Sequence, residues 1–288
     1  MLQFQWYDFA IISAVLMSVA TLTEKFALRR EHAASFSASM MLITMFVSLL
    51  FLPWANSYVP SWQWFLLLFS GFLSSVGYLL TARLYRHAAI ATTTSAFSAL
   101  PILFVVSFAY VFLGEQLSTI QYAAMVVLIL ATYFLVDFKR DVANRRYIRK
   151  YQVFLSLDSF LMAAGAIILK YQLATINFYT YLVWNTLFST IFMLIFMQYR
   201  YGGLKETFKD VKKYSRFLFP VSVLTVGYRI TSYVAIALAP VALASPLRNV
   251  VFVVLTVVAS GVLLHEKKMG RKFMLTLVIL AASYFIIT

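Results

Sequence analysis

The chain has 288 residues, 62% of them hydrophobic and only 12% charged, with a mean hydropathy of +0.85. Soluble globular domains carry roughly 25% charged residues, so the composition excludes a water-soluble domain and indicates a membrane protein. The formal net charge of +14 raises nucleic acid as a partner, which the placement of the basic residues argues against, and the lack of cysteine excludes disulfides, thiol catalysis and cysteine metal sites.

Runs of about 20 apolar residues are long enough to cross a hydrocarbon layer of roughly 30 Å as helices. Taken in chain order, ten such runs cover about 8–28, 34–54, 62–82, 88–113, 119–138, 152–172, 178–198, 216–238, 240–264 and 271–287. None shows the short alternating pattern of barrel strands. The predicted fold class is therefore all-α integral membrane, with ten transmembrane helices. The first run starts at Tyr7 without a basic segment before it, and no small-residue cleavage site precedes Glu24, Lys25, Arg29 and Arg30. It is read as a retained span rather than a cleaved leader.

The basic residues mark one side of a membrane. Arg29 and Arg30 follow the first run, Arg83 and Arg86 close the third, and "DFKRDVANRRYIRK" follows the fifth. "YRYGGLKETFKDVKKYSR" follows the seventh, and Lys267, Lys268, Arg271 and Lys272 follow the ninth. Twenty of the 24 Lys and Arg thus fall in odd-numbered turns, and none falls in an even-numbered turn or at a terminus. The positive-inside rule then puts the odd turns in the cytoplasm and both termini outside.

The two halves of the chain repeat. Glu115 matches Glu266 and Tyr133 matches Tyr284 at an offset of 151, and Gly77-Tyr78 matches Gly227-Tyr228 at 150. Met17, Lys25 and Leu28 match Met162, Lys170 and Leu173 at 145. Five spans per half is an odd number, so the second copy enters the bilayer from the opposite side, giving two inverted five-helix repeats with a site expected at their mid-membrane interface. The expected organisation is a first repeat over 1–138, a basic cytoplasmic linker over 139–151 and a second repeat over 152–288.

With these motifs in place, the chain resembles the drug/metabolite transporter superfamily, in particular its ten-helix EamA-type members, in which each repeat ends with an apolar helix, a short Gly-Glu turn and a last helix. "PILFVVSFAYVFLGEQLSTIQY" fits that pattern, with Pro101 at its head. "SPLRNVVFVVLTVVASGVLLHEKK" departs from it, because Pro246 is shifted and His265 replaces the glycine before Glu266. The resemblance covers essentially the whole chain. It implies secondary transport of amino acids or related organic anions, in the export direction for many relatives. Many relatives place their basic residues in the even turns, so this chain is expected to sit the other way up. The expected location is a plasma membrane of the bacterial inner-membrane type, with the chain multi-pass.

At the repeat-motif turn, Gly114 permits a tight reversal. Glu115 is expected to face the positive end of the following helix as a capping residue, with direct substrate or proton contact as the alternative. Glu266 is its counterpart.

Charges within spans are expensive in hydrocarbon and face a bundle interior or an aqueous cavity. Arg229 lies about ten residues before the turn at Pro240 and Arg248 about eight after it, roughly 15 and 12 Å from one membrane surface at 1.5 Å per residue. Their forked donors suit a carboxylate or phosphate held bidentately, so they are the candidate anionic-substrate clamp. The structural alternative is pairing with Asp158, Glu24 or backbone carbonyls. Asp158 and Glu24 are the proton-coupling candidates, with an interfacial pair to Lys25 as the other reading of Glu24. Tyr78, Tyr228, Trp184 and Asn185 are candidates for the aromatic and polar lining of the cavity, while Trp6, Trp54, Trp62 and Trp64 fall near span ends as interfacial anchors.

No glycine-rich phosphate loop follows a strand, and His32, His87 and His265 lack metal-ligand spacing. No enzyme activity, cofactor or metal is expected. Transport must use an ion gradient, exchange of a co-substrate, or the gradient of the substrate itself. The expected partners are a small-molecule substrate, membrane lipids and a proton or exchange co-substrate, without nucleic acid. Two other readings stay open on the residues: a flippase in which the arginines hold a lipid-linked phosphate, and a membrane scaffold without transport.

Overall fold

Long apolar stretches without water have to satisfy their backbone N–H and C=O groups internally, and the helix does so. The computed structural model describes residues 4–28, 33–87, 100–135, 145–200 and 204–264, together with 274–275, 277–279, 281–282 and 284–285. Among the described residues the secondary structure is helical and contains no strand.

In chain order the helices are α1 (Trp6–Leu28), α2 (Ala33–Leu49), α3 (Ser61–His87), α4 (Leu100–Leu113), α5 (Thr119–Leu135), α6 (Arg145–Leu173), α7 (Phe178–Arg200), α8 (Leu204–Leu238) and α9 (Val241–Leu264). Residues 274–275, 277–279, 281–282 and 284–285 are helical as well. Six of these helices contain a stretch long and apolar enough to cross a membrane: Trp6–Glu24, Ser61–Leu84, Gln152–Leu173, Phe178–Arg200, Thr207–Leu238 and Val241–Ala259. The apolar parts of α2, α4 and α5 are shorter.

Two helices start earlier than the apolar pattern predicts. α6 begins at Arg145 and α8 at Leu204, so much of the two basic stretches expected as turns is helix. Neither stretch contains a helix-breaking proline, and Lys and Arg are good helix formers, so each helix runs on past the point where its apolar span stops.

The two halves are interleaved rather than set side by side. α1 packs on α8 and α9, α2 on α7 and α8, and α3 on α6 and α7. Exchanging the halves turns α1·α8 into α6·α3 and α2·α8 into α7·α3, so these contacts obey the repeat. Small and hydroxyl side chains let membrane helices approach closely. Ser35, Ser37, Ser39, Thr44 and Ser48 are all buried on α2. Ser39 donates to the Thr207 carbonyl at 3.1 Å, Thr44 to Ser222 at 3.2 Å, and Ser35 to Asp210. At Gly71 on α3 a Cβ would come within 2.5 Å of the Phe188 Cβ on α7, so these two helices touch where α3 has no side chain.

The outside of the bundle is apolar. Ile11, Val15 and Val19 on α1 and Phe65, Phe69 and Phe72 on α3 are exposed. Contiguous apolar surface of this kind belongs against lipid rather than water.

Candidate functional site

A cavity of about 250 Å³ opens between α1, α3, α6, α7, α8 and α9, with walls from both halves of the chain. α1 contributes Thr21 and Glu24, α3 contributes Ser74, Gly77, Tyr78 and Thr81, and α6 contributes Asp158. Tyr181 and Asn185 come from α7, Tyr228, Arg229, Ser232 and Tyr233 from α8, and Ser245, Arg248 and Asn249 from α9.

Arg229 and Arg248 both line this space. Nη1 of Arg229 donates to Thr186 Oγ1 at 3.1 Å. Nη1 of Arg248 donates to Ser232 Oγ at 2.6 Å, while its Nε and Nη2 reach Asn249 Oδ1 at 3.3 and 3.0 Å. Among the described residues these hydrogen-bond partners are hydroxyls and an amide, which orient a guanidinium without neutralising it. A guanidinium has five N–H donors in a fixed fork, so each retains donors beyond these bonds.

The two carboxylates line the same cavity but are held by other helices. Tyr78 donates its hydroxyl to Glu24 Oε1 at 3.1 Å, tying α3 to α1. Thr81 donates to Asp158 Oδ2 at 3.1 Å, tying α3 to α6. Asp158 Oδ1 is buried with no hydrogen-bond partner among the described residues. Counted along the helices, Arg229 and Arg248 lie about ten and eight residues from the α8–α9 turn, whereas Glu24 and Asp158 lie toward the ends that meet the odd-numbered turns. Arg229 lies close enough to Glu24 for their charges to interact, so the cavity holds two cations and two carboxylates together.

Of the residues singled out in the sequence, Glu24, Tyr78, Asp158, Asn185, Tyr228, Arg229 and Arg248 come together at the cavity. Asn185 is largely spent on the framework: its Nδ2 donates to Ser70 Oγ at 2.8 Å, and Ser74 reaches its Oδ1 at 3.5 Å. Trp184 is not among the lining residues and packs on Trp64, with ring centroids 4.7 Å apart, and on Phe188. Glu266 lies outside the described residues, as do His32 and His265. Tyr233, Ser232 and Ser245 are among the polar lining residues that sequence reasoning passed over. Helical spacing identifies all three: Ser232 and Tyr233 are three and four residues past Arg229, and Ser245 is three before Arg248, which puts each on the face of its arginine.

At the repeat-motif turn Gly114 makes the expected reversal and Glu115 caps a helix, but not the one that follows it. Residues Ala109–Leu113 form a π-helical turn, and Gly114 follows with φ of 65°, in the left-handed region where a side chain is disfavoured. α5 supplies its own cap: Ser118 Oγ accepts from the Gln121 N–H at 3.2 Å and Gln121 Oε1 from the Ser118 N–H at 3.0 Å, a capping box. Glu115 instead reaches α9 in the other half, where its Oε1 and Oε2 accept the N–H groups of Val241 and Ala242, each at 2.9 Å.

The sequence profile of the EamA-like transporter family matches this chain twice, over residues 5–137 and 149–288. The chain belongs to the EamA-like transporter family. Two matches, one per half, are what a duplicated five-helix unit produces, and this EamA-like chain is accordingly a multi-pass membrane transporter of small molecules. No curated protein sequence matches it. A solved crystal structure superposes with a TM-score of 0.72, covering 97% of this chain and 95% of its own, at 12% identity. At that identity the likeness is one of fold alone.

Proposed function

We propose that this EamA-like protein carries a small anionic or zwitterionic metabolite, such as an amino acid or organic acid, by alternating access around the cavity between its two halves. The observation that carries this reading is that two partly buried guanidiniums, Arg229 and Arg248, line one cavity with only neutral hydrogen-bond partners among the described residues. Buried charges are kept when something pairs with them, and a substrate carboxylate or phosphate answers both forks. Tyr78, Tyr228 and Tyr233 supply amphipathic walls, and an ammonium group of a zwitterion would meet Glu24 or Asp158.

Transport runs in the export direction, across a plasma membrane of the bacterial inner-membrane type, with both termini outside. Asp158 and Glu24 are the groups through which a proton couples to the substrate; exchange of two substrates is the alternative route. The deciding experiment is a thermal-unfolding screen of the purified protein against amino acids, organic acids, sugar phosphates, nucleotide sugars and prenyl phosphates, with Arg248→Ala alongside. A ligand at 100 times its dissociation constant stabilises by about 2.7 kcal/mol. Stabilisation by one anionic or zwitterionic class, lost in the variant, supports the reading. A response confined to cations or neutral compounds, or one that the variant retains, overturns it.

A further inference from the structure

Arg229 and Arg248 are carried by a single hairpin, α8 and α9 joined at Ala239 and Pro240, and both ends of its turn are held by charges from elsewhere in the chain. Glu115, from the turn between α4 and α5, spans the first two N–H groups of α9 with both carboxylate oxygens, each at 2.9 Å. Lys170, near the end of α6, donates its ammonium to the carbonyls of Ile236 and Ala239 at 2.8 and 2.9 Å, closing the last turn of α8. The first N–H groups and the last C=O groups of a helix have no partner within it, and a carboxylate at the first and a cation at the last also complement the helix dipole. Here one acid and one base satisfy these groups on two consecutive helices, and neither residue belongs to the hairpin it holds.

We propose that Glu115 and Lys170 form a latch that keeps the α8–α9 hairpin, and with it both guanidiniums, closed over the cavity on the face carrying the Ala239–Pro240 turn, and that opening toward this face releases it. The geometry gives the latch its leverage. At 1.5 Å per residue the two arginines lie about 12 to 15 Å from the turn, so tilting the hairpin away from α6 and from the α4–α5 turn breaks the four charge-assisted bonds and moves both forks together. Glu115 and Lys170 are thus positioning residues: they touch the backbone of the hairpin and not the cavity. Gly114 belongs to the same device, because its left-handed backbone turns the chain out of α4 at the residue before the carboxylate.

The latch rests on the transporter reading, but its test needs no substrate, so the two fail separately. The chain has no cysteine, and Ser245 lines the cavity in the first turns of α9 with a hydroxyl that has no hydrogen-bond partner among the described residues. Ser245→Cys therefore places a single reporter thiol in the cavity. Its rate of labelling by a membrane-impermeant maleimide is measured from each face, in right-side-out and inside-out vesicles. Glu115→Ala and Lys170→Ala are expected to speed labelling from the hairpin face by roughly tenfold, the shift that loss of a charge-assisted hydrogen bond imposes on an open–closed equilibrium. Labelling from the opposite face should not rise, and the double variant should exceed either single one. If either alanine variant fails to fold, Glu115→Gln and Lys170→Met, which nearly keep side-chain length while removing the charge, give the same readout. Labelling within about twofold of the parent in the folded variants, or an equal rise from both faces as general loosening would produce, overturns the latch.

Discussion

A Cβ placed on Gly77 would stand 3.3 Å from Oδ1 of Asp158, so α3 and α6, one helix from each half, meet where the glycine admits a carboxylate. The repeat supplies the counterpart on α1 and α8. A Cβ on Gly227 would stand 3.3 Å from Leu16 Cδ1, and Ser13, which the 145-residue offset matches to Asp158, donates to the Tyr228 carbonyl at 2.7 Å. The crossings are related, but only one carries a charge. Gly77→Ala is expected to destabilise by about 1 to 3 kcal/mol, as overpacking does, and by clearly less when Asp158 is also alanine. A double-mutant cycle read by thermal unfolding measures this. Additive effects would mean that the glycine is there for some neighbour other than the carboxylate.

Under the transport reading proposed above, Asp158 is one of two groups through which a proton would couple. Its Oδ2 is held by Thr81 while its Oδ1 has no partner among the described residues, so the side chain has one oxygen available to carry a proton. Asp158→Asn keeps the shape and cannot change charge. In proteoliposomes the expected outcome is that flux no longer responds to an imposed pH gradient, while substrate exchange across equal pH continues. Gradient-driven flux that persists in both Asp158→Asn and Glu24→Gln would remove proton coupling through this cavity.

The all-helical class, the two halves and the four charged residues that line the cavity were legible because each leaves a one-dimensional trace. Long apolar runs give helices, the Glu115 and Gly77 offsets give the repeat, and a charge inside an apolar run is conspicuous whatever its neighbours. What was not legible depends on packing between distant segments. Trp184 and Asn185 are adjacent in sequence, yet α7 turns one toward Trp64 and the other toward Ser70 and the cavity. Glu115 was expected at the helix that follows it in the chain, and only the fold brings α9, 126 residues away, within reach of its carboxylate. The early starts of α6 and α8 were missed for a different reason: hydropathy reports the membrane, and helices need not stop where it does.

The proposed anion clamp would require the guanidinium fork, not charge alone. Arg248 is aimed by Ser232 at 2.6 Å and by Asn249 at 3.0 Å, and a lysine amine presents a point charge that cannot be aimed in the same way. Arg248→Lys is expected to weaken binding of the anionic ligand at least about tenfold, equivalent to 1.4 kcal/mol, without a comparable loss of stability. Isothermal titration with the ligand found in the screen tests this, and equal affinity in the lysine variant would reduce the role of Arg248 to electrostatics.

Two glycines provide a paired test of the helix packing that supports the site. At Gly71 a Cβ would meet Phe188 Cβ at 2.5 Å, the Ser189 nitrogen at 3.1 Å and the Phe188 carbonyl carbon at 3.2 Å. Two of these atoms are backbone, so no rotamer change relieves the clash and α7 must shift against α3. Thr186, which receives the hydrogen bond of Arg229, lies two residues before Phe188 and would move with it. Gly165 on α6 has nothing within 4 Å of its Cβ position, so alanine there adds helix propensity at no steric cost. Gly71→Ala is expected to lose about 1 to 3 kcal/mol, and Gly165→Ala to be neutral or to gain up to about 1 kcal/mol. Thermal unfolding in one detergent compares the two directly. Equal melting temperatures would mean that α3 and α7 part easily, so their contact could not fix the position of Thr186 beneath Arg229.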